Sequence, residues 1–201
     1  PWGMRRVVAH PIVGTPGALQ FGPGRRDFAV EPPALTMLDV LNRASQILIG
    51  VGKVGDLFGG RGLTRSALAP RWTDALDEIG GMFNKVPRGL IFAGLDVIGS
   101  DAATSTAAIQ DFDRRLPDLL DRLRPGDLFI ITGDHGRDPG KPHALPTREY
   151  VPLLITGPKL AQGVNLGVRP TAADLAQTVV EGLKGESLTL GDSFLDVLRP
   201  G

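Results

Sequence analysis

Apolar residues are arranged along this chain in two alternating patterns. Four short runs, Gln46-Ile-Leu-Ile-Gly-Val-Gly52, Gly89-Leu-Ile-Phe-Ala-Gly-Leu95, Asp127-Leu-Phe-Ile-Ile-Thr132 and Val151-Pro-Leu-Leu-Ile155, are nearly unbroken and bounded by Gly, Asp or Pro. Runs of that length predict strands buried on both faces of a sheet. Between them, apolar positions recur at helical spacing. Pro32-Pro33 opens a helix from Leu35 to about Ala44, with Leu35, Leu38 and Leu41 along one side. Lys53 to Phe58 predicts a short helix, and Thr73 caps another that runs to about Asn84. Asp101 caps a long helix to Arg124. Its apolar face holds Ala107, Ala108, Phe112, Leu116, Leu119, Leu120 and Leu123, and Pro117 should kink it. Thr171 caps a last helix through Leu183. Arg6-Val-Val-Ala9 predicts a short strand. The Pro- and Gly-rich residues 11–33 and the Gly- and Arg-containing residues 59–71 predict irregular segments.

Strands that alternate with helices and end in Gly or Asp describe an α/β fold with a mostly parallel sheet flanked by helices. In such sheets ligands bind beyond the carboxyl ends of the strands. Asp96, Asp134 and His135 all lie at such ends, and Lys53 follows another. Residues remote in the chain are thereby expected to meet on one rim.

Composition narrows the chemistry. The 22 basic residues balance the 22 acidic ones, so no bulk field favours nucleic acid or an anionic membrane. No run is long enough to span a bilayer and no signal peptide is visible, so a cytoplasmic protein is expected. With no cysteine, a metal would be held by carboxylate, imidazole or hydroxyl groups. Two of the three histidines, His135 and His143, flank one loop, and the first of them follows Asp134. Gly133 and Gly136 bracket the Asp-His pair and are expected to let the backbone bend so that both side chains face one cation. Asp96, from a neighbouring strand end, could reach the same cleft. Two divalent ions held close together form the usual clamp for phosphoryl displacement. The same residues also admit plainer readings: Asp134 as a turn residue, Asp96 as a cap, His143 as a solvated loop histidine, Lys53 as a surface charge. Lys53 could instead face a phosphate at a helix start, although the surrounding glycines do not form a Walker loop.

Four stretches in order resemble phosphopentomutase, a family of the alkaline phosphatase superfamily. They are Arg6-Val-Val-Ala-His-Pro-Ile-Val-Gly-Thr-Pro-Gly with Gly24-Arg-Arg-Asp-Phe, and Gly50-Val-Gly-Lys-Val-Gly-Asp-Leu-Phe-Gly-Gly-Arg-Gly-Leu-Thr-Arg. The third is Phe112-Asp-Arg-Arg-Leu-Pro with Asp134-His-Gly. The fourth is Thr147-Arg-Glu with Val151-Pro-Leu-Leu-Ile-Thr-Gly-Pro and Ala173-Asp-Leu-Ala-Gln-Thr. The resemblance implies an alkaline-phosphatase-like core over residues 34–201, with residues 1–33 as the end of a cap or connecting arm. It implies interconversion of ribose 1-phosphate and ribose 5-phosphate, and of the deoxyribose pair, with two Mn²⁺ ions and a phosphorylated threonine. On this chain it implies Asp134 and His135 as ligands of one metal, Asp96 and His143 as ligands of a second, and Lys53 and Arg6 as contacts to a pentose phosphate. No nucleic acid, membrane or protein partner is implied. Three departures are visible. The segment with the nucleophilic threonine and an aspartate ligand is expected to precede Pro1, which leaves no catalytic nucleophile here. Leu95 to Asp101 contains no histidine, and Pro146 stands just before Thr147. These departures leave two other readings open: a degenerate metal- or ligand-binding relative, and a one-metal phosphoesterase of the same superfamily.

Overall fold

The computed structural model describes residues 6–22, 24–95, 101–138 and 146–200. The chain divides into two compact units, Pro1–Leu95 with Gly167–Leu195, and Asp96–Leu166 with Asp196–Gly201.

The first unit begins with β1 (Arg6–Ala9), β2 (Ile12–Val13), β3 (Gln20–Phe21) and β4 (Arg26–Ala29). β1 pairs antiparallel with β4, and β2 with β3. The segment expected to be irregular therefore holds three strands. Two of them are two residues long, joined by a turn in which the Ala18 amide donates to the Thr15 carbonyl, and such short strands leave no periodicity to read.

After the ribbons come α1 (Met37–Arg43), β5 (Ile47–Gly52), α2 (Val54–Leu57), β6 (Arg65–Ala67), α3 (Trp72–Met82) and β7 (Gly89–Gly94). β5 lies between β6 and β7, parallel to both. This is the parallel sheet expected from the apolar runs. Alternation along β5 sends side chains to two cores. Ile49 and Val51 join Ala75, Met82 and Val86 on one side, whereas Leu48 joins Val40, Leu41 and Val180 on the other. Sandwiching the strand in this way is what requires an unbroken apolar run. β6 lies in the stretch expected to be a loop, because Arg65-Ser66-Ala67 presents only one buried side chain.

Helix starts are set by side chains that satisfy the first free amides. Thr36 caps α1 rather than the Pro32-Pro33 pair, through a reciprocal box with Asp39. Arg61 then grips Asp39 through Nε (2.7 Å) and a second nitrogen (3.0 Å), tying the loop after α2 to this helix start. α3 starts at Trp72, with Arg71 rather than the expected Thr73 at the cap position, where the Asp74 carboxylate accepts from the Arg71 amide (3.2 Å) and from its guanidinium (2.6 Å). At β5's end, Gly52 has φ +69°, and a Cβ there would sit 2.6 Å from the Gly94 carbonyl oxygen. Only glycine allows the two strand ends to run that close before Lys53 starts α2.

α5 (Ala173–Gly182) completes the first unit, packed on α1. Ala172, not the expected Thr171, stands at the cap position, although the Thr171 hydroxyl accepts from the Ala173 amide (3.2 Å). The helix ends with Lys184 at φ +59°, while the Gly185 amide closes the turn on the Val180 carbonyl (2.8 Å). A side chain at that left-handed position is strained, so Lys184→Gly is expected to stabilise the protein by about 0.5–1 kcal/mol, read from urea unfolding.

The second unit holds α4 (Ala102–Leu120), β8 (Phe129–Thr132) and β9 (Leu153–Thr156); α6 (Leu195–Leu198) follows α5 near the end of the chain. Asp101 caps α4 as expected, accepting from the Thr104 amide (2.8 Å). The helix carries Pro117 in its last turn and ends at Leu120 rather than Arg124. β8 and β9 pair antiparallel with each other, Phe129 opposite Thr156 and Thr132 opposite Leu153. The expected third and fourth strands therefore exist at nearly the expected positions, but in an antiparallel pair. Its burial alternates along β9 instead of being complete.

Candidate metal centre

β8 delivers Gly133-Asp134-His135-Gly136 at its carboxyl end, and the returning chain lies alongside. A bridge pairs Gly136 with Thr147, whose amide donates to the Gly136 carbonyl (2.9 Å). Two blocks singled out in the sequence, Asp-His-Gly and Thr-Arg-Glu, are thus neighbours in one unit. The chain bends at Asp134 and His135, and the flanking glycines also make room for the returning segment. Neither Gly133 nor Gly136 has a positive φ. They are small so that the returning segment can approach: a Cβ on Gly133 would lie 3.1 Å from the Val151 side chain.

The Asp134 side chain is 72% exposed and that of His135 37%, with Asp134 Oδ1 3.6 Å from His135 Nε2. His135 Nδ1 lies 2.9 Å from the Gly136 carbonyl oxygen. A carbonyl can only accept, so the 2.9 Å contact favours the neutral tautomer with its proton on Nδ1. Nε2 then keeps its lone pair beside the Asp134 carboxylate. A carboxylate with an imidazole nitrogen, the other ring nitrogen tied to a backbone carbonyl, suits a divalent cation. Asp134 and His135 fit such an ion as two of its ligands. Among the described residues no set of three or more His, Asp or Glu side chains is grouped for a metal. Asp96 and His143, the ligands implied for a second ion, lie outside the described residues.

Glu149 borders the same loop and was not among the residues singled out, although it ends the Thr-Arg-Glu block. The Thr147 hydroxyl donates to its carboxylate, its own amide does the same, and together they hold the carboxyl below its usual range against burial and the charge of Asp138.

The two residues implied as substrate contacts lie in the first unit. Lys53 precedes α2 directly after β5, and its Cγ would be 3.0 Å from a Cβ placed on Gly94. Arg6 on β1 is engaged with Asp27, whose carboxylate is buried and also meets Arg25 Nε at 3.2 Å. A cleft of about 350 Å³ beside this pair is lined by Asp27, Asp56, Ser66 and the glycines at 55, 59 and 60. No helix among the described residues is long and apolar enough to cross a membrane.

Comparison with known proteins matches residues 92–186 to the Metalloenzyme superfamily. The chain is 42% identical over 97% of its length to a phosphopentomutase of Anaeromyxobacter dehalogenans, covering 51% of that protein. It is 40% identical over 98% of its length to a phosphopentomutase of Dictyoglomus turgidum, again covering 51%. A phosphopentomutase of Caldanaerobacter subterraneus is 39% identical over 94% of the chain. The chain spans about half the length of these relatives.

Proposed function

We propose that this chain, which matches the Metalloenzyme superfamily over residues 92–186 and is similar along nearly all its length to phosphopentomutases, is the Asp-His-Gly-bearing part of a phosphopentomutase. The reaction would interconvert ribose 1-phosphate and ribose 5-phosphate, and the deoxyribose pair, in the cytoplasm. The observation that carries this reading is the Asp134–His135 pair, with His135 Nδ1 2.9 Å from the Gly136 carbonyl oxygen and Nε2 3.6 Å from the Asp134 carboxylate.

In this reading Asp134 and His135 hold one Mn²⁺ ion, and Asp96 with His143 contributes to a second. Bound divalent ions supply charge stabilisation to the oxygens that enter and leave phosphorus. Lys53 steadies the sugar phosphate as a flexible point charge. Arg6 can assist only with the donors that Asp27 leaves, since both Nε and a terminal nitrogen are directed at that carboxylate. The phosphoryl carrier is a threonine of the whole protein that none of the residues assigned above supplies. The relatives do not favour a degenerate binding protein or a one-metal phosphoesterase.

Two measurements test the proposal. Calorimetric titration of Mn²⁺ into the chain should show binding that Asp134→Ala weakens at least 100-fold. The whole gene product should convert ribose 1-phosphate to ribose 5-phosphate with Mn²⁺ present. Binding indifferent to Asp134→Ala, or a whole product without turnover, rejects it.

A further inference from the structure

One backbone oxygen beside the Asp134–His135 pair is used twice. The Gly136 carbonyl accepts from His135 Nδ1 (2.9 Å) and from the Thr147 amide (2.9 Å). A carbonyl oxygen offers two lone pairs, so both are taken. The other side of Gly136 is closed as well. A Cβ there would lie 2.4 Å from Thr147 Oγ1 and 2.8 Å from Glu149 Oε2, so these two oxygens fill the space a side chain would need. The Thr147 hydroxyl in turn donates to the Glu149 carboxylate. Thr147 is therefore held at two points, its amide on Gly136 and its hydroxyl on Glu149.

We propose that Thr147 and Glu149 are positioning residues that set the tautomer of His135. By fixing the Gly136 peptide they present its oxygen to Nδ1, keep the ring proton there, and leave the Nε2 lone pair beside Asp134. If the peptide were free to turn, Nδ1 would lose its acceptor and the ring could carry its proton on either nitrogen. The consequence for metal affinity rests on the reading of Asp134 and His135 as ligands. The tautomer itself is a property of the metal-free chain.

Nitrogen-15 NMR of the His135 ring, in metal-free protein at a pH where the ring is neutral, reads the tautomer directly. The wild-type chain should show a protonated Nδ1 and an unprotonated Nε2. Glu149→Ala and Thr147→Val should give a mixture of the two forms and weaken Mn²⁺ binding by about 10-fold or more. Glu149→Gln keeps an oxygen that can accept from the Thr147 hydroxyl, so it should retain both the tautomer and the affinity. Thr147→Val closely matches threonine in shape and keeps the amide, so it carries the test alone if Glu149→Ala does not fold. A role limited to folding would lower the melting temperature of these variants and leave the ring signals unchanged, which overturns the proposal. A wild-type ring protonated on Nε2 overturns it too. If the tautomer shifts in the variants while wild type binds no Mn²⁺, the positioning role stands and the metal reading fails. If Asp134→Ala abolishes Mn²⁺ binding while Glu149→Ala and Thr147→Val change neither tautomer nor affinity, the metal reading stands and this one fails.

Discussion

Leu48→Ala is expected to lower the unfolding free energy by about 3–5 kcal/mol, a large share of the stability of a typical domain. Leu48 is fully buried on β5, the central strand of the parallel sheet. It lies in one cluster with Val40 and Leu41 of α1 and Val180 of α5, with Leu63, Leu90 and Leu188 packed around them. Strand and helices close on that side chain from several directions, so the space left by truncation cannot collapse without moving a whole element. The cost therefore includes the lost transfer of the side chain from water and the cavity left behind. On the opposite face, Ile49→Val removes one methylene group from a cluster anchored by Val51, Ala75 and Met82. It should cost only about 0.5–1.5 kcal/mol. Urea unfolding of both variants beside the wild type checks the pair. A Leu48→Ala loss no larger than that of Ile49→Val would mean that this face of the sheet is not tightly packed.

The same strand shows how much of a fold an apolar pattern carries. A run apolar at every position can bury itself only between two layers, so β5 and β7 and their parallel pairing were legible. β6 was not, because an edge strand of three residues needs few buried side chains, and Arg65 and Ser66 hide it. The pairing of β8 with β9 was invisible for another reason. A four-residue apolar run indicates a strand, but neither its partner nor its direction. The start of α4 was legible at Asp101, whereas the starts of α1 and α3 lie at Thr36 and Arg71 rather than at the expected residues. At the candidate centre, the adjacency of Asp134 and His135 was in the sequence itself. The reason for its glycines was not, since close approach of Thr147, Glu149 and Val151 is a tertiary fact. Thr147 and Glu149 were visible only as part of a motif, with no local pattern to connect them to His135.

Asp174→Asn is expected to lower the melting temperature by about 10 °C at neutral pH and to flatten the acid limb of stability. Asp174 is 1% exposed at the start of α5. Its carboxylate accepts from the Asp192 amide (3.0 Å) and from Arg169 through Nε (2.8 Å) and a terminal nitrogen (2.7 Å). Beside it, the Thr178 hydroxyl donates to the Asp174 carbonyl (2.7 Å) and accepts from the Phe194 amide (3.1 Å). This polar knot holds the segment around residues 192–194 against α5. An asparagine turns an N–H toward one of these donors and leaves Arg169 without its carboxylate. The pH effect has a definite sign. The Asp192 amide bond, opposed by burial and aided by Arg169, lowers the Asp174 carboxyl from its usual range. With its folded pKa below the unfolded value of about 3.9, the unfolded chain binds the proton first as pH falls. The stabilisation is therefore complete above about pH 4 and is lost as pH drops through the folded value. Asp39 adds a contribution of the same sign: burial raises its carboxyl, but Arg61 and Thr36 outweigh that and bring it below its usual range. Thermal unfolding followed from pH 7 to pH 3 should show wild type losing more than Asp174→Asn over the last unit of pH. Equal slopes for the two proteins in that window would place the origin of the acid sensitivity outside this knot.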